Sequence, residues 1–336
     1  MQESHEYEKL FDKISTIIQE NEKFLIVTHD FPDGDCLGSQ VALFELLKNL
    51  GKDVSMICNS DIPYQYEFLP NIVEIKKNFN QISTRCNKLE CICFCLDSAD
   101  ENRFNFDMGV LKGKTGAIIN IDHHPGNTKY GNINIVDPGR SATAEILYEL
   151  IQLKFREALN YNIAISLYTG ILTDTGRFQY ENTTHKVHKI VSHLLEFGVV
   201  PSSVFSYIYE NEPFRRFKLL GKVLKRTRIV KPKKLVYSYI LQRDFSGLRL
   251  PFSANDGIIE ILRTASDAKI TALFKQIGKK QYKISLRSSD SGYSVEDIAS
   301  GFGGGGHILA SAYSQKGTLK EVVSNLVNAI DLHDIH

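Results

Sequence analysis

The chain has 336 residues, 43% hydrophobic and 24% charged, a balance found in soluble globular proteins and not in disordered or membrane-spanning chains. A formal net charge of +1 supplies no whole-molecule field for long duplex nucleic acid or an anionic surface. No apolar run reaches the roughly 18 residues that span a bilayer, and MQESHEYEKL at the start predicts no secretory leader.

Residues 6–20 place Leu10, Phe11, Ile14, Ile17 and Ile18 at helical spacing. Strands are expected at 23–28 (KFLIVT), 53–58 (DVSMIC), 91–97 (CICFCLD) and 116–121 (GAIINI), with helical pattern over 38–50. Apolar strands separated by helices predict a parallel sheet in an α/β domain. Cys91, Cys93 and Cys95 alternate, so they share one strand face, where free thiols act as small hydrophobes. That usage points to a reducing, cytoplasmic setting. Helices are expected at 142–157, 159–173 and 185–197.

Residues 213–234 read PFRRFKLLGKVLKRTRIVKPKK, with ten Lys or Arg and no acid. Phe214, Phe217, Leu220 and Leu224 form a helical stripe there. The stretch reads as an amphipathic connector with a solvated basic face, or as a basic wall that draws in an anionic substrate. Strands at 235–241, 269–276 and 281–287, a helix near 257–265, a helix start at Ser294 and a final helix over 318–331 predict a smaller second α/β domain. The divisions are 1–200, a helical basic linker 201–230, and 231–336.

Chemistry-bearing residues gather where strands end. His29, Asp33 and Asp35 follow the first strand in VTHDFPDGDCLGS, Asp97 ends CICFCLD, and Asp122, His123 and His124 follow GAIIN. Asp174 closes a helical stretch in ILTDTGRF. Ligands of open parallel sheets bind beyond the carboxyl ends of the strands. Each feature alone has a plainer account: Pro32-Asp33-Gly34 as a turn, Asp35 as a helix cap, Asp174 as a helix end. Together, so many acids without matching cations would have to protonate, and a pair of divalent cations removes that cost. Carboxylates with imidazoles and no cysteine suit manganese, magnesium or iron. Two such ions activate a water against phosphorus, and Asp97, on a central strand, is the candidate to lie between them.

His29-x3-Asp33-x-Asp35, Asp97, Asp122-His123-His124 and Asp174 resemble the four motifs of the DHH phosphoesterases. S285LRSS289 and F302GGGGH307 resemble the DHHA1 domain that accompanies one compact branch, the nanoRNase/pAp-phosphatases and stand-alone cyclic-di-AMP phosphodiesterases. The resemblance implies one manganese on His29, Asp33 and Asp97 and a second on Asp35, Asp97, His123 and Asp174, with magnesium or another divalent ion as substitute. It implies that His124 donates to a phosphate oxygen and that Asp122 supports the imidazoles. In the second domain it implies a grip on the rest of the nucleotide by Arg287, Ser288, Gly303, Gly304, Gly305, Gly306 and His307. Arg177 contacts substrate phosphate or ends a helix.

The activity expected is phosphodiester hydrolysis in cyclic di-AMP or linear dinucleotides (pApA, pGpG). The alternative is a nanoRNase with pAp 3′-phosphatase activity. The partner expected is a small nucleotide, without membrane or long duplex, and a homodimer is left open. A silent nucleotide sensor is the competing class, disfavoured because every ligand position is filled.

Overall fold

The computed structural model describes residues 2–77, 91–104, 106–255, 257–290 and 292–333. It divides into two compact units, Met1–Asn211 and Glu212–His336.

The first unit runs α1 (Gln2–Glu20), β1 (Lys23–Thr28), α2 (Gly34–Asn49), β2 (Asp53–Ile57), β3 (Ile75–Lys76), β4 (Cys91–Leu96), α3 (Met108–Lys114), β5 (Ala117–Asp122) and β6 (Ile133–Val136). Four helices follow: α4 (Thr143–Lys154), α5 (Tyr161–Asp174), α6 (His185–Leu195) and α7 (Pro201–Tyr209). The six strands form a parallel sheet in the order β3-β2-β1-β4-β5-β6. FLIV, CICFCL and IINI are apolar throughout because helices cover both faces of the sheet. Phe24, Ile26, Phe94 and Leu96 pack with apolar residues of α1, α2, α4 and α5. On the opposite face Cys91, Cys93 and Cys95 lie with Leu25, Val27, Phe104, Met108 and Leu111. The three thiols are buried and free, as their alternation predicts.

The α2 helix is buried from Gly34 to Leu47, beneath α5 and α4. Glycine makes that approach possible. A Cβ on Gly38 would stand 2.4 Å from the Ser166 carbonyl oxygen, and one on Gly170 would stand 2.7 Å from both the Ala144 Cβ and Asp35 Oδ1.

The second unit contains α8 (Phe214–Arg226), β7 (Arg228–Val230), β8 (Leu235–Ile240), α9 (Gln242–Leu248), α10 (Ile258–Arg263), β9 (Ile270–Gly278) and β10 (Gln281–Ser288). It ends with α11 (Val295–Gly301), β11 (Gly305–His307), β12 (Ala310–Lys316) and α12 (Leu319–His333). Its sheet has the order β11-β12-β10-β9-β8-β7, with β8–β9 the parallel pair. Val295, Ile298, Val322 and Leu326 cover one face, and Leu219, Val223, Phe245 and Ile258 the other.

The segment expected as a linker divides between the units. In α7, Val204 and Ile208 pack into the first core, whereas α8 buries Leu219 and Val223 against β8 and α9 in the second. Of the expected apolar stripe of α8 only Leu220 packs against the core, and Phe214, Phe217 and Leu224 are exposed. The smaller residues face inward because α8 lies close over β8, where the Ser238 hydroxyl donates to the Val223 carbonyl at 2.7 Å. No helix among the described residues is long and apolar enough to cross a membrane.

Candidate metal centre

Thr28 and Leu96 are register partners at the ends of β1 and β4, and the next residues are His29 and Asp97. In the order 3-2-1-4-5-6 the chain turns to opposite sides after these two strands, opening a crevice at their carboxyl ends. Asp97 enters that crevice with φ +57°, a left-handed conformation that is costly for a side chain with a Cβ. The Ile121 carbonyl accepts its backbone N–H at 3.0 Å and holds it there.

The two oxygens of the buried Asp97 carboxylate face different imidazoles. Oδ2 lies 3.6 Å from His29 Nε2, and Oδ1 lies 3.6 Å from His123 Nε2 and 3.7 Å from His124 Nδ1. Thr143 Oγ1 donates to Oδ1 at 3.0 Å. His123 Nε2 also faces Asp174 Oδ2 at 3.1 Å and Asp35 Oδ2 at 3.8 Å. Among the described residues, potential ligand atoms within 4.8 Å of one another form three groups: His29, Cys36 and Asp97; Asp97, His123 and His124; Asp35, His123 and Asp174.

Asp35 joins its group from the first turn of α2. Ala142 cannot cap α4 with a side chain, and Asp35 accepts the Thr143 N–H at 2.6 Å and the Ala144 N–H at 2.9 Å in its place. Asp35 therefore does not cap the helix that follows it in sequence, as the capping account expects; it lies within that helix's first turn and caps α4 instead. Asp33 is the N-cap of α2, accepting from the Cys36 N–H at 3.0 Å, and stands outside the three groups in this conformation. Asp122 accepts from His124 Nδ1 at 2.7 Å and from Asn127 Nδ2 at 2.6 Å, so it orients His124. His123 Nδ1 faces the Arg140 carbonyl at 3.3 Å.

Crowding sets the charge states. Burial and the charges of Asp97 and Asp174 raise Asp35 well above the usual carboxylate range. Asp33 is an exposed residue whose carboxyl loses water among the other acids; with the charges of Asp97 and Asp174, that desolvation pushes it up to about 6. Burial would raise Asp97 as well, but His29, His123 and His124 hold it below the usual range. Burial would lower His29, yet the Cys36 sulfur and Asp97 push it up to about 12. Burial pushes the Cys36 thiol up to about 12.

These residues fit divalent cations. His29 Nδ1 lies 2.7 Å from the Asp30 carbonyl, while the buried Nε2 has no hydrogen-bond partner and points toward Asp97. A buried ring nitrogen without a hydrogen-bond partner is expensive, and a cation bound there would take the place of its proton. His123 Nε2 is within hydrogen-bond distance of Asp174, but the separations of His29 and His123 from Asp97, and of His123 from Asp35, at 3.6–3.8 Å, exceed a hydrogen bond and suit groups that share an ion.

The family match decides the class. Residues 23–171 match the DHH family, N-terminal domain, and residues 233–332 match the DHHA1 domain. A Thermus thermophilus protein named bifunctional oligoribonuclease and PAP phosphatase NrnA is 32% identical over 292 residues, covering 87% of this chain and 84% of its own. The chain belongs to the DHH–DHHA1 phosphoesterases. It is a divalent-metal-dependent hydrolase of phosphoester bonds. The Bacillus subtilis protein of the same name is 27% identical, covering 85% of this phosphoesterase and 87% of its own chain. The crystal structure of an exopolyphosphatase-related protein from Bacteroides fragilis shares the fold, with a TM-score of 0.91 at 24% identity over 97% and 96% of the two chains.

In the phosphoesterase's second unit, the expected substrate residues are partly engaged elsewhere. Arg287 Nε and Nη2 reach Glu260 Oε1 on α10 at 3.0 and 2.9 Å. Ser288 is buried, and its hydroxyl donates to the Asp290 carbonyl at 2.7 Å. Gly303 to Gly306 and His307 are exposed at the start of β11, where a Cβ on Gly304 would stand 2.3 Å from the Ala312 carbonyl oxygen. In the first unit, Arg177 lies in a left-handed turn with Gly176 and Phe178, its N–H closing α5 on the Leu172 carbonyl at 2.8 Å. Its guanidinium sits 5.1 Å from the Tyr209 ring centroid.

Sequence reasoning missed Cys36 and Thr143. Cys36 follows Asp35 directly in GDCLG, and Thr143 opens α4 after Ser141-Ala142. Both positions were readable as helix starts, but nothing local shows that those starts point into the cluster.

Proposed function

We propose that this phosphoesterase hydrolyses the phosphoester bonds of short linear ribonucleotides and of pAp, and that its residues would hold two divalent cations, manganese foremost, with Asp97 contributing to both sites. The observation that carries this reading is the Asp97 carboxylate, with one oxygen toward His29 and the other toward His123. His29 with Asp97 would hold one cation, together with Asp33 or Cys36; Asp35, Asp97, His123 and Asp174 would hold the other. When bound, the cations supply Lewis acidity at phosphorus and lower the pKa of a coordinated water.

The residues themselves orient and deliver protons. The Asp122 carboxylate holds His124 Nδ1 and fixes the orientation of the ring, and His124 would donate to a phosphate oxygen. Thr143 fixes the Asp97 carboxylate from below. His307 and the glycines before it offer donors for a second phosphate, and Arg287 offers its fork once exchanged from Glu260.

Linear substrates are favoured over cyclic di-AMP because the relatives that match along most of this chain are named oligoribonuclease and PAP phosphatase. The test offers pApA, pAp, cyclic di-AMP and a five-nucleotide RNA in parallel, with manganese, and compares initial rates. AMP from pApA and phosphate from pAp are expected ahead of any product from cyclic di-AMP. Rapid cutting of cyclic di-AMP with inert linear substrates would overturn the substrate assignment, and no product from any of the four would overturn the function.

A further inference from the structure

Phe31 occupies the loop between two candidate ligands, two residues from His29 and two from Asp33. It has φ +57°, precedes Pro32, and is 84% exposed. Each condition is unfavourable. A bulky residue at positive φ is strained, a residue before proline has fewer alternatives, and an exposed ring gains nothing from burial. Asparagine or glycine would adopt the left-handed backbone at less cost and would leave no ring in water.

The loop is nonetheless held firmly. The Phe31 N–H donates to Ser60 Oγ at 2.9 Å, and Ser60 Oγ is hydrogen-bonded to the Asp30 carboxylate. The Asp30 N–H donates to the Arg103 carbonyl at 2.9 Å, and Cys58 Sγ to the His29 carbonyl at 3.7 Å. These bonds fix the backbone and leave the ring in water. Two virtual bonds of 3.8 Å put its Cα no farther than about 7.6 Å from the Cα atoms of His29 and Asp33. A flat apolar face at that range from a phosphate site suits the base of a nucleotide, since any base can stack on an aromatic ring.

We propose that Phe31 is a stacking platform for the nucleobase of the nucleotide whose phosphate lies at the cation cluster. This inference rests on the nucleotide reading above and names one of its specificity determinants. Stacking tolerates any base, so Phe31 selects for the presence of a base and not for its identity.

The chain contains no tryptophan, so Phe31→Trp creates a single fluorescent reporter. Titration with pApA is expected to quench it, and an abasic dinucleotide of the same charge is expected not to. In kinetics with manganese, Phe31→Asn keeps the left-handed turn and removes the ring. The wild type's KM preference for pApA over the abasic dinucleotide is expected to shrink about tenfold in Phe31→Asn and to return in Phe31→Tyr. Equal quenching by both ligands, or an unchanged preference in Phe31→Asn, would overturn the inference and leave the catalytic reading intact. If the wild type cut nothing while pApA alone quenched Phe31→Trp, the catalytic reading would fall and the stacking site would stand.

Discussion

Asp97 is the residue on which the cluster turns. Asp97→Asn keeps its shape but removes the charge facing His29 and His123. Manganese-dependent hydrolysis is expected to fall by more than about 100-fold, beyond the 10–100-fold typical of residues that only orient a ligand. Bound manganese, read by atomic absorption after desalting, is expected to drop in parallel. Asp122→Asn should fall in that smaller range, because the Asn127 and His124 contacts can reform while the ring loses its carboxylate partner. A kcat unchanged in Asp122→Asn would remove His124 as a proton donor. The positions of Asp97, Asp122 and His123 were legible because each sits at the end of a strand whose apolar run is unmistakable. The left-handed φ of Asp97, the thiol of Cys36 and the engagement of Arg287 by Glu260 were not. They depend on contacts between segments far apart in sequence, 27 residues in the last case.

At the scale of elements, α2, α4 and α5 meet through small residues, and the candidate ligands on them inherit that spacing. Gly170→Ala would set a methyl 2.7 Å from the Ala144 Cβ and Asp35 Oδ1. The expected loss is about 1–3 kcal/mol of stability in chemical denaturation, with weaker manganese binding because Asp35 must move. In the second unit, buried Asp244 joins β8, α8 and α9: it accepts the Leu241 N–H at 2.9 Å and pairs with Arg226 and Lys222. Burial alone would raise its pKa, but these partners hold it at about 2. A depressed carboxylate stabilises above its unfolded value, near 4, and that contribution is lost as pH falls from about 4 to about 2. Asp244→Asn is therefore expected to lower the Tm at pH 7 and to have little effect at pH 2; a uniform loss across pH would assign Asp244 a purely steric role. Long apolar strands were readable from the sequence, whereas β6, β11 and β12 were not. INIV is four residues long, GGH carries almost no side chains, and ASAYSQK alternates small residues with polar ones. Such edge segments are fixed by their pairing partners and not by their own pattern. For α8 the aromatic stripe pointed to the wrong face, because close packing on β8 admits Leu219 and Val223 more readily than phenylalanine.

For the whole molecule, two units with separate cores and one acid-rich rim tie stability to metal. Without cations, burial and neighbouring charges raise Asp35, so its share of stability is full below the ordinary carboxylate value near 4 and is lost as pH rises. Asp33, at about 6, behaves alike. Cations neutralise both, so the gain in Tm on adding manganese to chelator-treated protein should be larger at pH 7.5 than at pH 5.5. A gain that shrank with pH would show that these carboxylates do not meet the metal. The α/β plan with a second, smaller α/β unit followed from strand periodicity, and the gathering of acids and imidazoles at one rim from acids at strand ends, whereas contacts such as that of Arg287 with Glu260 in the second unit are not spelled out by the sequence. The central claim is tested most directly by anomalous diffraction from crystals soaked in manganese. Two peaks about 3.5–4 Å apart are predicted, one on each side of the Asp97 carboxylate. A single peak, or a pair that leaves Asp97 uncoordinated, would contradict the account.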